Sequence, residues 1–185
     1  LGTSMGGIIG MMIAAFAPGK ITRLVLNDVG AVLPKEGLER IATYVGRDSH
    51  FTDQLEAEQY LRRVMKPFNI QRDDHWAHVL EHSLEPLPNG GVRLAYDPNI
   101  GNAFRLVADS MGIQDISLWM LWEAIRIPTL IIRGANSDVL PHAIAQQMCK
   151  GHPQAELAEF PDIGHAPTLM EDDQIAVIKN WLDRH

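Results

Sequence analysis

Hydrophobic residues form three kinds of run along this chain, and the kind changes twice. Gly7 to Ala17 is apolar on every side, which is the pattern of a buried helix. Pro18-Gly19 stops it. Ile21 to Asn27 is short and dense in aliphatic residues, as expected of a strand buried in a parallel sheet, and Asp28-Val29-Gly30 turns out of it. From about Leu33 to Gly112 the pattern becomes helical, amphipathic and more charged. It predicts helices over Lys35–Tyr44, over Asp53–Met65 with Leu55, Tyr60, Leu61 and Val64 inward, and over Arg72–Leu84 with Trp76, Val79, Leu80 and Leu84 inward. Pro86–Gly91 is a turn cluster, and Val92–Tyr96 is a short extended piece.

After residue 112 the first pattern returns. Ile116–Ile125 reads as a helix carrying Trp119 and Trp122. Thr129–Arg133 reads as a buried strand ended by Gly134, and Pro141–Cys149 as a helix with Pro at its first position. Ala155–Phe160 reads as a strand, and a last helix buries Ile175, Ile178, Trp181 and Leu182. Thr168 with Glu171 has the spacing of a capping box, and Asp172 and Asp173 add favourable charge at that helix's start. Strands alternating with helices predict an α/β fold with a mostly parallel sheet flanked by helices. Residues 1–32 and 113–185 form its core, and 33–112 form an inserted helical lid.

Composition narrows the classes. The 185 residues are enough for one sizeable core, and 46% hydrophobic with 21% charged residues is ordinary for a globular protein. A formal net charge of -7 argues against nucleic acid or an anionic membrane surface as partner. The single cysteine, Cys149, excludes an internal disulfide and suits a reducing cytoplasm. The apolar run Ile8–Ala17 is too short to span a bilayer.

The chemistry begins at the first residues. Leu1-Gly2-Thr3-Ser4-Met5-Gly6-Gly7 contains Gly-x-Ser-x-Gly and leads straight into the apolar helix. That spacing suits a serine held on a sharp strand-to-helix turn with its hydroxyl exposed. Gly2 and Gly6 would keep side chains out of the turn, and the Met5 N–H would face a developing oxyanion at the helix N-terminus. The plainer alternative is a Gly-rich loop opening a buried helix. A serine hydroxyl needs a base, and the base needs an orienting acid. In a parallel sheet such groups gather beyond the carboxyl ends of the strands. Asp138 follows the strand Thr129–Arg133 and His165 follows Ala155–Phe160, in the order Ser, Asp, His. Asp28 also follows a strand and is the second choice for the acid; Asp162 reads as a solvated turn residue.

With these three motifs in order and context, the chain resembles the C-terminal two-thirds of an α/β-hydrolase with a helical cap. The resemblance implies Ser4 as nucleophile, His165 as general base and Asp138 as the acid orienting it, with Met5 N–H in the oxyanion hole. It implies a serine hydrolase that cleaves a carboxylic ester or lactone through an acyl-enzyme, without cofactor or metal. Serine in place of aspartate at the elbow argues against dehalogenase and epoxide hydrolase chemistry. The neighbouring alternative is hydrolysis of a carbon–carbon bond in a ring-cleavage product. A different class is a non-catalytic binding or scaffold member of the fold. Trp76, Tyr96, Trp119 and Trp122 are candidates for an acyl pocket, although aromatics at helical spacing usually belong to cores. His75, His78 and His82 share a helix face, where three imidazoles suit Zn²⁺ but a solvated face is the simpler reading.

Two parts of the family pattern are missing from the sequence: the strand before the elbow and the upstream loop that supplies a second oxyanion N–H. An uncovered edge at Ile21–Asn27 is a template for association. The 185-residue chain alone is therefore expected to be aggregated, dimeric or unstable, and inactive. Size-exclusion chromatography with an ester assay checks this, and a monodisperse active monomer would overturn it.

Overall fold

A computed structural model describes residues 1–47, 49–102 and 112–185. Its elements run β1 (Gly2–Thr3), α1 (Met5–Phe16), β2 (Leu24–Asn27), β3 (Val32–Leu33), α2 (Lys35–Ala42), β4 (His50–Phe51), α3 (Gln54–Val64) and α4 (Asp73–Ser83). They continue with β5 (Leu84–Pro86), β6 (Val92–Leu94), β7 (Ile116–Ser117), α5 (Trp119–Ala124), β8 (Thr129–Gly134), α6 (His142–Gly151), β9 (Ala155–Phe160) and α7 (Asp172–Arg184). The chain divides into two compact units, Leu1–Leu38 with Gln114–His185, and Glu39–Ile113. The helical lid expected over 33–112 overlaps the second unit, and its part at 103–111 lies outside the described residues.

The first unit is built on a parallel four-stranded sheet in the order β1-β2-β8-β9. β2 and β8 are buried at every position, which is why their sequences are almost unbroken aliphatic runs rather than alternating ones. On one side Val25, Leu130, Ile132, Phe160, Ile163 and Trp181 form the core, with Ile178 against it. On the other side α1 comes close to β2, because a Cβ on Gly7 would stand 2.4 Å from Val29 Cγ1 and one on Gly10 2.8 Å from Leu24 Cδ1. The strand found missing before the elbow is present in short form: Gly2 and Thr3 pair in parallel with Leu26 and Asn27.

In α1, Gly7, Met11 and Ala14 are buried, while Met5, Ile9, Met12, Ile13 and Phe16 are exposed, as expected of an apolar helix that loses cover in the 185-residue chain. Several expectations are corrected. Ile116–Ile125 splits into β7, paired antiparallel with β3, and the short helix α5. α7 starts at Asp172, and its N-cap is Glu171 rather than Thr168. Gln174, only 2% exposed, instead accepts the Leu169 N–H through Oε1 at 2.7 Å. Ile175 and Leu182 are exposed, and the buried members of α7 are Gln174 and Trp181.

In the second unit β4, β6 and β5 form an antiparallel sheet. Two- and three-residue strands are too short to show a period of two in sequence. α3 starts where expected: the Asp53 carboxylate accepts the Glu56 N–H at 2.9 Å, and Glu56 accepts the N–H and hydroxyl of Thr52. Those bonds from Thr52 hold the Glu56 carboxyl below the usual carboxylate range. Ala57 and Leu61 face inward, and Leu55, expected there, is exposed. Among the described residues no helix is long and apolar enough to cross a membrane.

The core gives one prediction. Trp181→Ala removes the largest side chain of the β8–α7 contact and should lower unfolding free energy by about 3–5 kcal/mol. Urea denaturation measures it.

Candidate active site

Ser4 stands between β1 and α1 with φ 50° and ψ -119°, in a region a non-glycine residue rarely occupies. The turn is pinned from both directions. The Ser4 N–H donates to Asn27 O at 3.0 Å, and Ser4 O accepts the N–H groups of Gly7 and Ile8. Gly2 is required: a Cβ there would lie 2.3 Å from Gly6 O and 2.5 Å from Gly7 N. Gly6, expected to share that role, faces open space, and Gly7 takes its place against Val29 and Gly2 O. The Ser4 hydroxyl caps nothing, so it stays available to a partner. The first N–H groups of α1, Met5 first among them, have no carbonyl within the helix to receive them.

That partner is His165. Its Nε2 lies 3.1 Å from Ser4 Oγ, and its Nδ1 lies 2.7 Å from Asp28 Oδ2. Because a carboxylate can only accept, the ring proton belongs on Nδ1, which leaves Nε2 to accept the serine O–H. His165 is 5% exposed and Asp28 0%, so this hydrogen-bonded pair is sheltered from competing water. Asn27, next to Asp28, ties the loops together: its Nδ2 donates to Thr3 Oγ1 at 3.1 Å and to Pro167 O at 2.8 Å.

Asp138 is the acid expected to meet the ring; the carboxylate that meets it in the structure is that of Asp28, weighed second. Asp28 directly follows β2, the strand beside the one that ends in Ser4. Beyond β8 the chain is held differently. Ala135 N–H donates to Phe160 O and Asn136 N–H to Ile163 O, both at 2.8 Å. Ser137 then turns its hydroxyl to Asp28 Oδ2 at 2.5 Å. The backbone carbonyl of the next residue, Asp138, lies where a Cβ on Gly37 would be 2.7 Å away. Asp28 also accepts the Gly134 N–H on Oδ1 at 3.0 Å and adopts φ 55°. Buried Arg133 shapes the same loop, donating to Leu140 O at 3.0 Å and Ala135 O at 3.1 Å and pairing with Glu159. Glu159 is held below the usual carboxylate range chiefly by its bond to His142, with Arg133 adding to it.

Of the aromatic candidates, Trp119 and Trp122 lie in the first unit and Trp76 and Tyr96 in the second. Trp122 is 1% exposed; its indole donates to Met148 O at 3.3 Å and its ring lies 5.1 Å from that of His152. Burial pushes the His152 imidazole below its ordinary value. Trp76 is buried within the helical unit, donates to Ile70 O and carries Arg62 over its ring. Trp119 lines a cavity of about 730 Å³ with Arg126, Lys150 and His152, and Tyr96 one of about 370 Å³ with Tyr60 and Ile100. Neither cavity is lined by Ser4, Asp28 or His165. Of the three helix histidines, His78 and His82 are exposed with rings 4.2 Å apart, and Glu81 rather than His75 completes a group of three possible ligands.

Residues 1–178 match the alpha/beta hydrolase family. The chain belongs to that family. Among alpha/beta hydrolases and related hydrolases, it is 34% identical over 180 residues to a 3-hydroxybutyrate-oligomer hydrolase of Cupriavidus necator, covering 95% of this chain and 61% of that protein. It is 27% identical over 192 residues to a pimeloyl-[acyl-carrier protein] methyl ester esterase of Aromatoleum aromaticum, covering 96% and 70%. The crystal structure of an alpha/beta hydrolase from Novosphingobium aromaticivorans superposes with a TM-score of 0.85 at 34% identity, over 100% of this chain and 64% of that one.

The elbow geometry gives a second prediction. Gly2→Ala should lower the thermal midpoint by several degrees and displace Ser4, because the added methyl meets backbone rather than a movable side chain. Differential scanning calorimetry and a crystal structure of the variant check it; an unchanged midpoint with Ser4 in place would overturn it.

Proposed function

We propose that this chain carries the catalytic machinery of a serine hydrolase acting on carboxylic esters. The observation that supports it most is the unbroken line from Ser4 Oγ to His165 Nε2 (3.1 Å) and from His165 Nδ1 to Asp28 Oδ2 (2.7 Å). In this reading Ser4 Oγ attacks the ester carbonyl while His165 Nε2 takes its proton. The carbonyl oxygen becomes an oxyanion that receives the Met5 N–H at the positive end of α1. Asp28 holds the Nδ1–H and stabilises the imidazolium. The tetrahedral intermediate collapses, the alcohol leaves with the proton from His165, and water repeats the sequence on the acyl-enzyme. An ester substrate agrees with the name of the esterase relative. In this proposal residues 39–113 act as a cap that selects the substrate. Replacing them by a short linker should then change substrate preference more than the stability of the sheet.

A fluorophosphonate probe tests the reading. It should label the wild-type protein at Ser4 and leave Ser4→Ala unlabelled; a wild-type protein that resists the probe and hydrolyses no ester overturns it. Asp28→Asn should cut turnover by roughly 10⁴-fold, because an amide favours the wrong imidazole tautomer. Asp138→Asn should stay within a few-fold of wild type. The reverse ranking would restore Asp138 as the acid.

A further inference from the structure

We infer that Ser137 is a positioning residue for the Ser4–His165–Asp28 line: its hydroxyl proton locks the Asp28 carboxylate in the rotation that serves His165. The inference rests on the serine hydrolase reading for its catalytic meaning, and on bond counting for its geometry. A serine hydroxyl has one proton and two lone pairs. Ser137 Oγ accepts the Val139 N–H at 3.1 Å and the Leu140 N–H at 3.0 Å. With both lone pairs engaged, the one remaining interaction is donation, and the atom that receives it is Asp28 Oδ2 at 2.5 Å. The hydroxyl therefore has no alternative rotor, unlike a surface serine.

Asp28 needs that donor. Its carboxylate is fully buried, and a buried charge must replace its hydration with fixed donors. Gly134 N–H meets Oδ1 at 3.0 Å, which by itself leaves the group free to pivot about that bond. Ser137 closes the pivot from the other oxygen, the same oxygen that receives His165 Nδ1. Ser137 is itself placed by backbone, since its N–H donates to Gly134 O at 3.0 Å and its loop is tied down by Arg133. It lies one residue before Asp138, so the loop after β8 delivers a hydroxyl to the acid instead of delivering the acid. Other ionisable groups on the surrounding elements are Arg133 and Glu159, bonded to each other, and Asp138 and Asp162 on the two loops.

The test is Ser137→Ala followed by NMR of the His165 Nδ1–H resonance, with steady-state kinetics beside it. If Ser137 holds the carboxylate, its loss lets the Nδ1–H···Oδ2 bond lengthen. The resonance should then move upfield, and kcat per fluorophosphonate-titrated site should fall on the order of tenfold to a hundredfold at unchanged KM. Ser137→Thr, which keeps the hydroxyl, should restore both. A purely structural role would lower the fraction of titratable sites without moving the resonance of the folded protein. Should the alanine variant not fold, Ser137→Cys, whose thiol accepts from both N–H groups but donates weakly, should shift the resonance in the same direction. An unmoved or downfield resonance with kcat retained overturns the inference. The NMR readout needs no substrate, so it judges Ser137 even where probe labelling and ester assays refute the hydrolase reading.

Discussion

The structure around the site depends on one buried carboxylate. Asp28 receives a backbone N–H from the end of β8, a hydroxyl from the following loop, and the imidazole from the loop after β9. Each of those segments is held in turn by bonds to the others: Ala135 and Asn136 to the β9 end and its loop, Asn27 to the elbow strand and the His165 loop. Removing the carboxylate without supplying another acceptor would leave donors from three segments unsatisfied in the interior, where each costs about 1–3 kcal/mol. The same arrangement therefore bears on folding as well as on the chemistry proposed for the site.

Much of the fold was legible in the sequence because its signals are local. β9 spans the predicted residues, and β8 differs by one; the aliphatic run of β8 between turn residues matches its burial at every position, as in a parallel sheet covered on both faces. The elbow was legible for a similar reason, since Gly2 and Ser4 meet a steric demand within six residues. The choice between Asp28 and Asp138 was not. Both follow strands, and the decision depends on which loop bends toward His165, a matter of tertiary bonds made by Phe160 O and Ile163 O from far along the chain. Ser137 was missed for the same reason: a serine preceding an aspartate carries no mark until its hydroxyl is seen between two N–H groups and a carboxylate.

The position of the acid has a consequence for how this architecture tolerates change. With Asp28 in that role, Ser4 and its acid lie on neighbouring strands and only 24 residues apart, before the segment 39–113 begins. His165, Ser137 and the Gly134 N–H reach Asp28 from beyond that segment. Lengthening, shortening or exchanging the segment leaves the spacing between nucleophile and acid untouched, since no part of it runs between them. In the proposed reading, nucleophile and acid are thus encoded in one short stretch of chain that the segment 39–113 does not interrupt.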